Sequence, residues 1–141
     1  MNDLINKYFK DKDDENLFFP PATNIQIKEL ESKLECALPQ DYKDFLLTTN
    51  GFDGFIGDFY VVFESVDKIS ECTKDTCSEF FPWSIYIGTN GNLEMFVMDK
   101  RTSPYTYGLL PFIASDNDFI PLSNDFENFI KRLFDDMVFT K

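Results

Sequence analysis

Carboxylates are abundant in this chain and imidazoles are absent: 25 Asp and Glu residues, and no histidine, among 141 residues. Without an imidazole there is no Ser-His-Asp or Cys-His relay and no His-ligated metal. Paired carboxylates can still cleave glycosidic bonds, one protonating the leaving oxygen while the other attacks or activates water. Asp53 with Asp58, and Glu94 with Asp99, have the right residue types. Their spacing is not diagnostic, because an acidic domain of this size yields such pairs by chance. Asp116-x-Asp118 resembles the start of a calcium loop but lacks the central glycine and the distal glutamate, so it reads as a surface turn. Cys36, Cys72 and Cys77 are an odd, sparse set, and Cys72-x4-Cys77 lacks two further soft ligands for zinc. Reduced thiols in a cytosolic protein are expected. No P-loop, G-x-G-x-x-G or G-x-S-x-G occurs. Gly51, Gly54 and Gly57 follow a helix instead of opening one, and are expected to form a turn-rich loop leading into a strand. Neither a metal nor a cofactor is expected.

Charge narrows the class of partner. The formal net charge is −12, from 13 basic and 25 acidic residues. Nucleic-acid binding rests on neutralising phosphates with Lys and Arg, and anionic membranes need the same groups, so both are excluded. A basic protein partner is favoured instead, because the field raises its encounter rate. No run approaches the length of apolar residues needed to span a bilayer, and the N-terminal stretch has no apolar h-region. The expected location is the cytoplasm. Hydrophobic residues make up 43% of the chain and charged residues 27%, a globular balance. The 17 phenylalanines either fill a ring-rich core or leave some rings exposed for a partner.

The elements that must position these residues follow from periodicity. Asn2 to Lys10 is expected to be a short helix, followed by a charged link to Asn16 and an extended stretch at Pro20-Pro21. Ile27, Leu30, Leu34 and Leu38 form one helical stripe over 24–36, capped by Thr23 or Asn24. A second helix starts at Pro39, takes Asp41 in its first turn and ends at Asn50-Gly51. Phe59 to Phe63 reads as a strand and Val66 to Thr73 as a short helix. Trp83 to Gly88 and Leu93 to Asp99 read as a hairpin around Asn90-Gly91, a dipeptide suited to paired positive φ angles. Tyr107 to Ile113 and Phe119 to Leu122 are further strands. A last helix, capped by Ser123, carries Phe126, Phe129, Ile130, Leu133, Phe134 and Met137 on its stripe. The expected fold is α+β: one domain over 1–141, with residues 1–22 as an N-terminal helix and link. It has an antiparallel sheet flanked by N-terminal helices and a C-terminal helix.

The run Leu38-Pro39-x-Asp41-Tyr42-Lys43-x-Phe45-Leu46, with Asn50-Gly51 after it and Ile27, Leu30, Glu31 and Leu34 before it, resembles the Smi/Knr family. That family is named for cell-wall glucan synthesis regulators and belongs to the SUKH superfamily. Ile87-Gly88-x-Asn90-Gly91, with a strand ending at Asp99, and the helix carrying Phe126-Glu127-x-Phe129 are similar as well. The resemblance spans about residues 23 to 138. It implies a curved antiparallel sheet with flanking helices, and a protein-binding role without family catalytic residues. The resemblance also implies a role that differs by lineage: most bacterial members are immunity proteins that neutralise toxins, often nucleases, whereas eukaryotic members regulate signalling and cell-wall synthesis.

Three readings follow. The leading one is an immunity-type protein that occludes a cognate basic toxin domain. The first alternative is a regulatory interaction module of the glucan-synthesis type, and the second is a carboxylate-based hydrolase. Residues 44–99 hold ten acids and two lysines, a net of −8, while the other 85 residues carry 11 bases and 15 acids, a net of −4. Rings beside turns in that segment suit apolar anchors within a charged rim. Asp53, Phe55, Asp58, Glu64, Asp67, Glu79 and Trp83 are accordingly the expected partner-binding residues.

Overall fold

Glycine spacing conceals a strand. Phe52–Ile56 alternates buried and exposed along its length and forms β1, with Phe52, Gly54 and Ile56 facing the core. The glycine-rich stretch expected to be a loop is therefore an edge hairpin. Gly54 is small because the ring of Phe52 occupies the place its side chain would take, 2.7 Å from an added Cβ. Ile56 pairs with Phe59, so the turn is the two residues Gly57-Asp58. Gly57 has φ +60°, the conformation a tight hairpin needs at its first central residue.

The computed structural model describes residues 2–113 and 118–135. The helices are α1 (Asn2–Tyr8), α2 (Asn24–Leu34), α3 (Gln40–Thr48), α4 (Val66–Thr76) and α5 (Phe126–Phe134), with a 3-10 turn at Glu15–Leu17. The other strands are β2 (Phe59–Phe63), β3 (Ser84–Thr89), β4 (Glu94–Asp99), β5 (Thr106–Pro111) and β6 (Ile120–Ser123). The six strands lie in sequence order and every neighbouring pair is antiparallel, so the sheet is an open meander. The outer edge of β1 is partly covered by the N-terminal segment, through bridges from Phe9 to Ile56 and from Phe18 to Phe52.

Helices cover the inner face. Leu4, Ile5 and Tyr8 of α1, Ile27 and Leu30 of α2, Phe45 and Leu46 of α3, and Phe129, Ile130 and Leu133 of α5 are buried there with the inward residues of the strands. Phe9, Phe45, Phe52, Phe63, Phe96, Phe126 and Phe129 are all in this cluster, so the ring-rich core is real. Leu34 belongs to its margin and is only half-buried. A second, smaller core sits on the outer face of β3–β5, where Cys77 and Phe81 of the segment after α4 cover Tyr86, Met95, Val97 and Leu110.

Several helix boundaries differ from expectation. Thr23, one of the two expected caps, is the N-cap of α2 and forms a reciprocal capping box with Gln26. Pro39 is the N-cap of α3, not its first helical residue, and α3 stops at Thr48 with an extended Thr49 cap, two residues before Gly51. At α5 the cap is Asp125, whose carboxylate accepts from the Asn128 N–H at 2.7 Å, while Ser123 ends β6. Met137 lies outside the described residues. The β3–β4 connection is a four-residue turn, Asn90 to Leu93, in which Asn90 Oδ1 accepts from the N–H groups of Asn92 and Glu94. Only Gly91 of the Asn-Gly pair has positive φ, at +74°.

Asp41 locks three elements together. One carboxylate oxygen accepts from the Tyr42 N–H at 2.7 Å and from the Tyr107 hydroxyl at 3.0 Å. The other accepts from the Phe126 N–H, the first of α5, at 2.7 Å. The first turns of α3 and α5 are thereby tied to β5, and the anion sits where both helix dipoles favour it.

Candidate partner-binding surface

The expected partner-binding residues lie on three separate parts of the molecule. Asp53 and Phe55 point outward from β1, and Asp58 stands in the hairpin turn beside them. Glu64, directly after β2, is half-buried and accepts the Tyr86 hydroxyl at 3.0 Å. Asp67 is exposed in the first turn of α4, and Glu79 is exposed three residues past its last residue, Thr76. At a rise of about 1.5 Å per residue the nine steps from Asp67 to Thr76 alone span roughly 14 Å. Trp83 precedes β3, packs edge-on against Phe81 and Phe119, and carries the Arg101 guanidinium 3.9 Å above its ring. It completes the second core, at the end of β3 remote from the β1–β2 turn.

One carboxylate pair considered for hydrolysis, Glu94 with Asp99, does not meet glycosidase geometry. Glu94 and Asp99 occupy opposite ends of a six-residue strand. Five strand steps are about 17 Å, beyond the 5–9.5 Å span of catalytic carboxyl pairs. Asp99 is instead buried in a two-point ion pair with Arg101. A cleft of about 420 Å³ gathers Asp3, Asp41, Asp125 and Glu127. Two of these are committed: Asp41 to its three donors and Asp125 to capping α5. Asp116 lies outside the described residues. Among the described residues no group of three or more His, Cys, Asp or Glu side chains is placed to hold a metal ion. All three cysteines are free, with burial raising each thiol above its ordinary value.

One continuous set of exposed rings and aliphatics is present at the end of the outer sheet face that holds the turns. Phe55 is 41% exposed and packs edge-on against Tyr60 of β2, ring centres 5.4 Å apart. Tyr60 donates its hydroxyl to Asp53 at 2.6 Å, and that bond pushes the phenol above its ordinary value. The Tyr60 ring lies against Gly91 at the next turn. Leu93, 67% exposed, follows in that turn, and its carbonyl accepts from the N–H of Phe112, itself 39% exposed. Phe112 in turn approaches Tyr86, whose phenol is raised by burial and then by Glu64. Glu94 holds the turn by accepting from the Asn90 amide at 2.8 Å. Sequence reading selected Asp53 and Phe55 but missed Tyr60, Leu93 and Phe112. The alternation in β2, with Phe59, Val61 and Phe63 turned inward, was the available sign that Tyr60 faces out.

Among the described residues no helix is long and apolar enough to cross a membrane. A model of the SMI1/KNR4 family (SUKH-1) matches residues 21–132. A curated protein of Bacillus subtilis (strain 168), named "Uncharacterized protein YnaB", is 29% identical over 113 residues, which cover 78% of this chain and 74% of that protein.

Proposed function

This chain belongs to the SMI1/KNR4 family (SUKH-1), and from that membership we propose that it is an immunity-type protein that binds a basic toxin domain and neutralises it by occlusion. The observation that carries the proposal is the acidic balance of the chain, 25 acids against 13 bases, with Asp53 and Asp58 both exposed at the β1–β2 hairpin. A toxin that acts on nucleic acid must present Lys and Arg to phosphates, and an acidic face covers such a site without turnover. The Bacillus relative supports the bacterial side of the family over its eukaryotic regulators. Neutralisation in the cytoplasm, where such a toxin meets its substrate, completes the proposal.

The test is co-expression with the protein encoded by the neighbouring gene, scored by relief of that protein's toxicity, and then association kinetics of the purified pair. Growth is restored, and the association rate falls as salt rises and again when Asp53, Asp58 and Glu64 are changed to their amides. No rescue, or a rate indifferent to both changes, refutes the reading.

A further inference from the structure

Three stretches contribute to the outer sheet face and the turns at its end: residues 52–64, 89–96 and 106–113. Between them they contain Asp53, Asp58, Glu64 and Glu94 and no lysine or arginine. The same stretches expose Phe55, Leu93, Phe112 and Ile113, which are four of the molecule's eight exposed large hydrophobic residues among those described. Scattered single exposures need no explanation, but a connected set does. Here the connection runs through Phe55, Tyr60, the Gly91 turn, Leu93 and Phe112 by direct contacts.

One cation already occupies this surface. The Lys10 main-chain N–H donates to the Phe55 carbonyl at 2.9 Å, anchoring the residue, and its ammonium reaches over the Phe55 ring at 5.8 Å. The ammonium has no ion-pair partner among the described residues. It therefore samples, from within the chain, the interaction that a partner's basic group would make from outside: a cation on the face of Phe55, which shares the outward side of β1 with Asp53.

We propose that this end of the sheet is the docking site for a basic protein segment, in which an arginine of the partner displaces Lys10 from the face of Phe55 and pairs with Asp53, while an apolar neighbour seats against Leu93 and Phe112. Arginine suits the position better than lysine, because its planar guanidinium stacks on a ring and offers a fork to a carboxylate at once. A segment carrying both basic and apolar side chains fits, since the site sets Asp53 on the same side of β1 as Phe55 and continues to Leu93 and Phe112. The inference rests on the toxin-binding reading for its biological partner, but not for its chemistry.

The probe is therefore a capped hexapeptide of alternating arginine and leucine, titrated into 15N-labelled protein and followed by amide chemical shifts. Shifts concentrate on Asp53, Phe55, Tyr60, Leu93, Glu94 and Phe112, and the matching glutamate-leucine peptide moves none of them. Lys10→Met tightens the arginine peptide severalfold by removing the internal competitor. Asp53→Asn and Leu93→Ser, both at exposed positions, each weaken it by about tenfold. Shifts centred elsewhere, such as the cleft of Asp3 and Glu127, equal response to the acidic peptide, or no response at all overturn the assignment. A chain that passes this test but fails to restore growth beside the toxin refutes the immunity reading and leaves the site standing.

Discussion

Replacing Asp41 by alanine removes the acceptor for three donors at once: the Tyr42 N–H at 2.7 Å, the Tyr107 hydroxyl at 3.0 Å and the Phe126 N–H at 2.7 Å. Bonds to a charged acceptor contribute about 1.5–3 kcal/mol each, and a donor left without a partner costs about 1–3 kcal/mol. The adjoining cleft lets water reach part of the site, which lowers the sum. Asp41→Ala is therefore expected to cost about 3–5 kcal/mol. Asparagine retains one oxygen for the Tyr42 and Tyr107 donors but turns an NH₂ toward the Phe126 N–H, so Asp41→Asn should cost about 1.5–3 kcal/mol. Tyr107→Phe loses one bond of the three, about 1 kcal/mol. Urea unfolding measures each cost as a shift in midpoint at constant slope. For a domain of this size each kcal/mol corresponds to roughly 3 °C in melting temperature. The exposed neighbour Asp44 is the control, with Asp44→Ala expected within about 0.5 kcal/mol of the parent. A double-mutant cycle of Asp41→Ala with Tyr107→Phe should show positive coupling, since the second change removes a donor already orphaned by the first. If Asp41→Ala costs under about 1 kcal/mol, or Asn is as damaging as Ala, the clamp assignment is refuted.

Two further outcomes follow from the core. Leu133→Ala, fully buried under α5, should cost about 3–5 kcal/mol, whereas Leu34→Ala at the margin should cost under about 2, and equal denaturation midpoints would contradict the layering. Burial raises the Tyr42, Tyr86 and Tyr107 phenols well above their ordinary value, with Glu64 adding to the first two and Asp41 to the third. The folded state thus holds these protons more tightly than the unfolded chain. Their contribution is complete below about pH 10 and is lost as pH rises past it, so absorbance at the phenolate band should grow together with loss of circular dichroism above that pH. Full ionisation of all six tyrosines with the fold intact would refute this.

What the sequence disclosed depended on how local the cause was. The stripes of α2 and α5 and the strands β2, β3 and β4 are written in short-range periodicity, and they form near the expected positions. β1 was concealed because Gly54 occupies an inward position, so the alternation of apolar residues breaks at its centre. Asp41 was legible as a helix-start residue, but its other two partners lie 66 and 85 residues away. No local pattern contains them. The surface had the same limitation. A count of charges along residues 44–99 finds an acidic segment, yet cannot tell that Phe55 and Trp83 face different environments at opposite ends of the sheet. Leu93 and Phe112 meet only because β4 and β5 pair with Glu94 opposite Pro111.

The family motif and the proposed docking end divide the molecule by physical role. Leu38, Tyr42, Phe45 and Leu46 are buried, and Asp41 fastens α3 to β5 and α5, so that run is occupied with holding the scaffold. Phe55, Leu93 and Phe112 project from strand ends and turns whose backbone is already fixed by the hairpins. Substituting them removes no inner-core contact, and exposed changes of that kind usually alter stability by no more than about 0.5 kcal/mol. A scaffold of this form tolerates replacement of its outer residues while its own folding is unaffected. That independence is what a binding protein requires if its partner's basic surface changes: the docking end can follow the partner, one exposed side chain at a time, without disturbing the clamp beneath it.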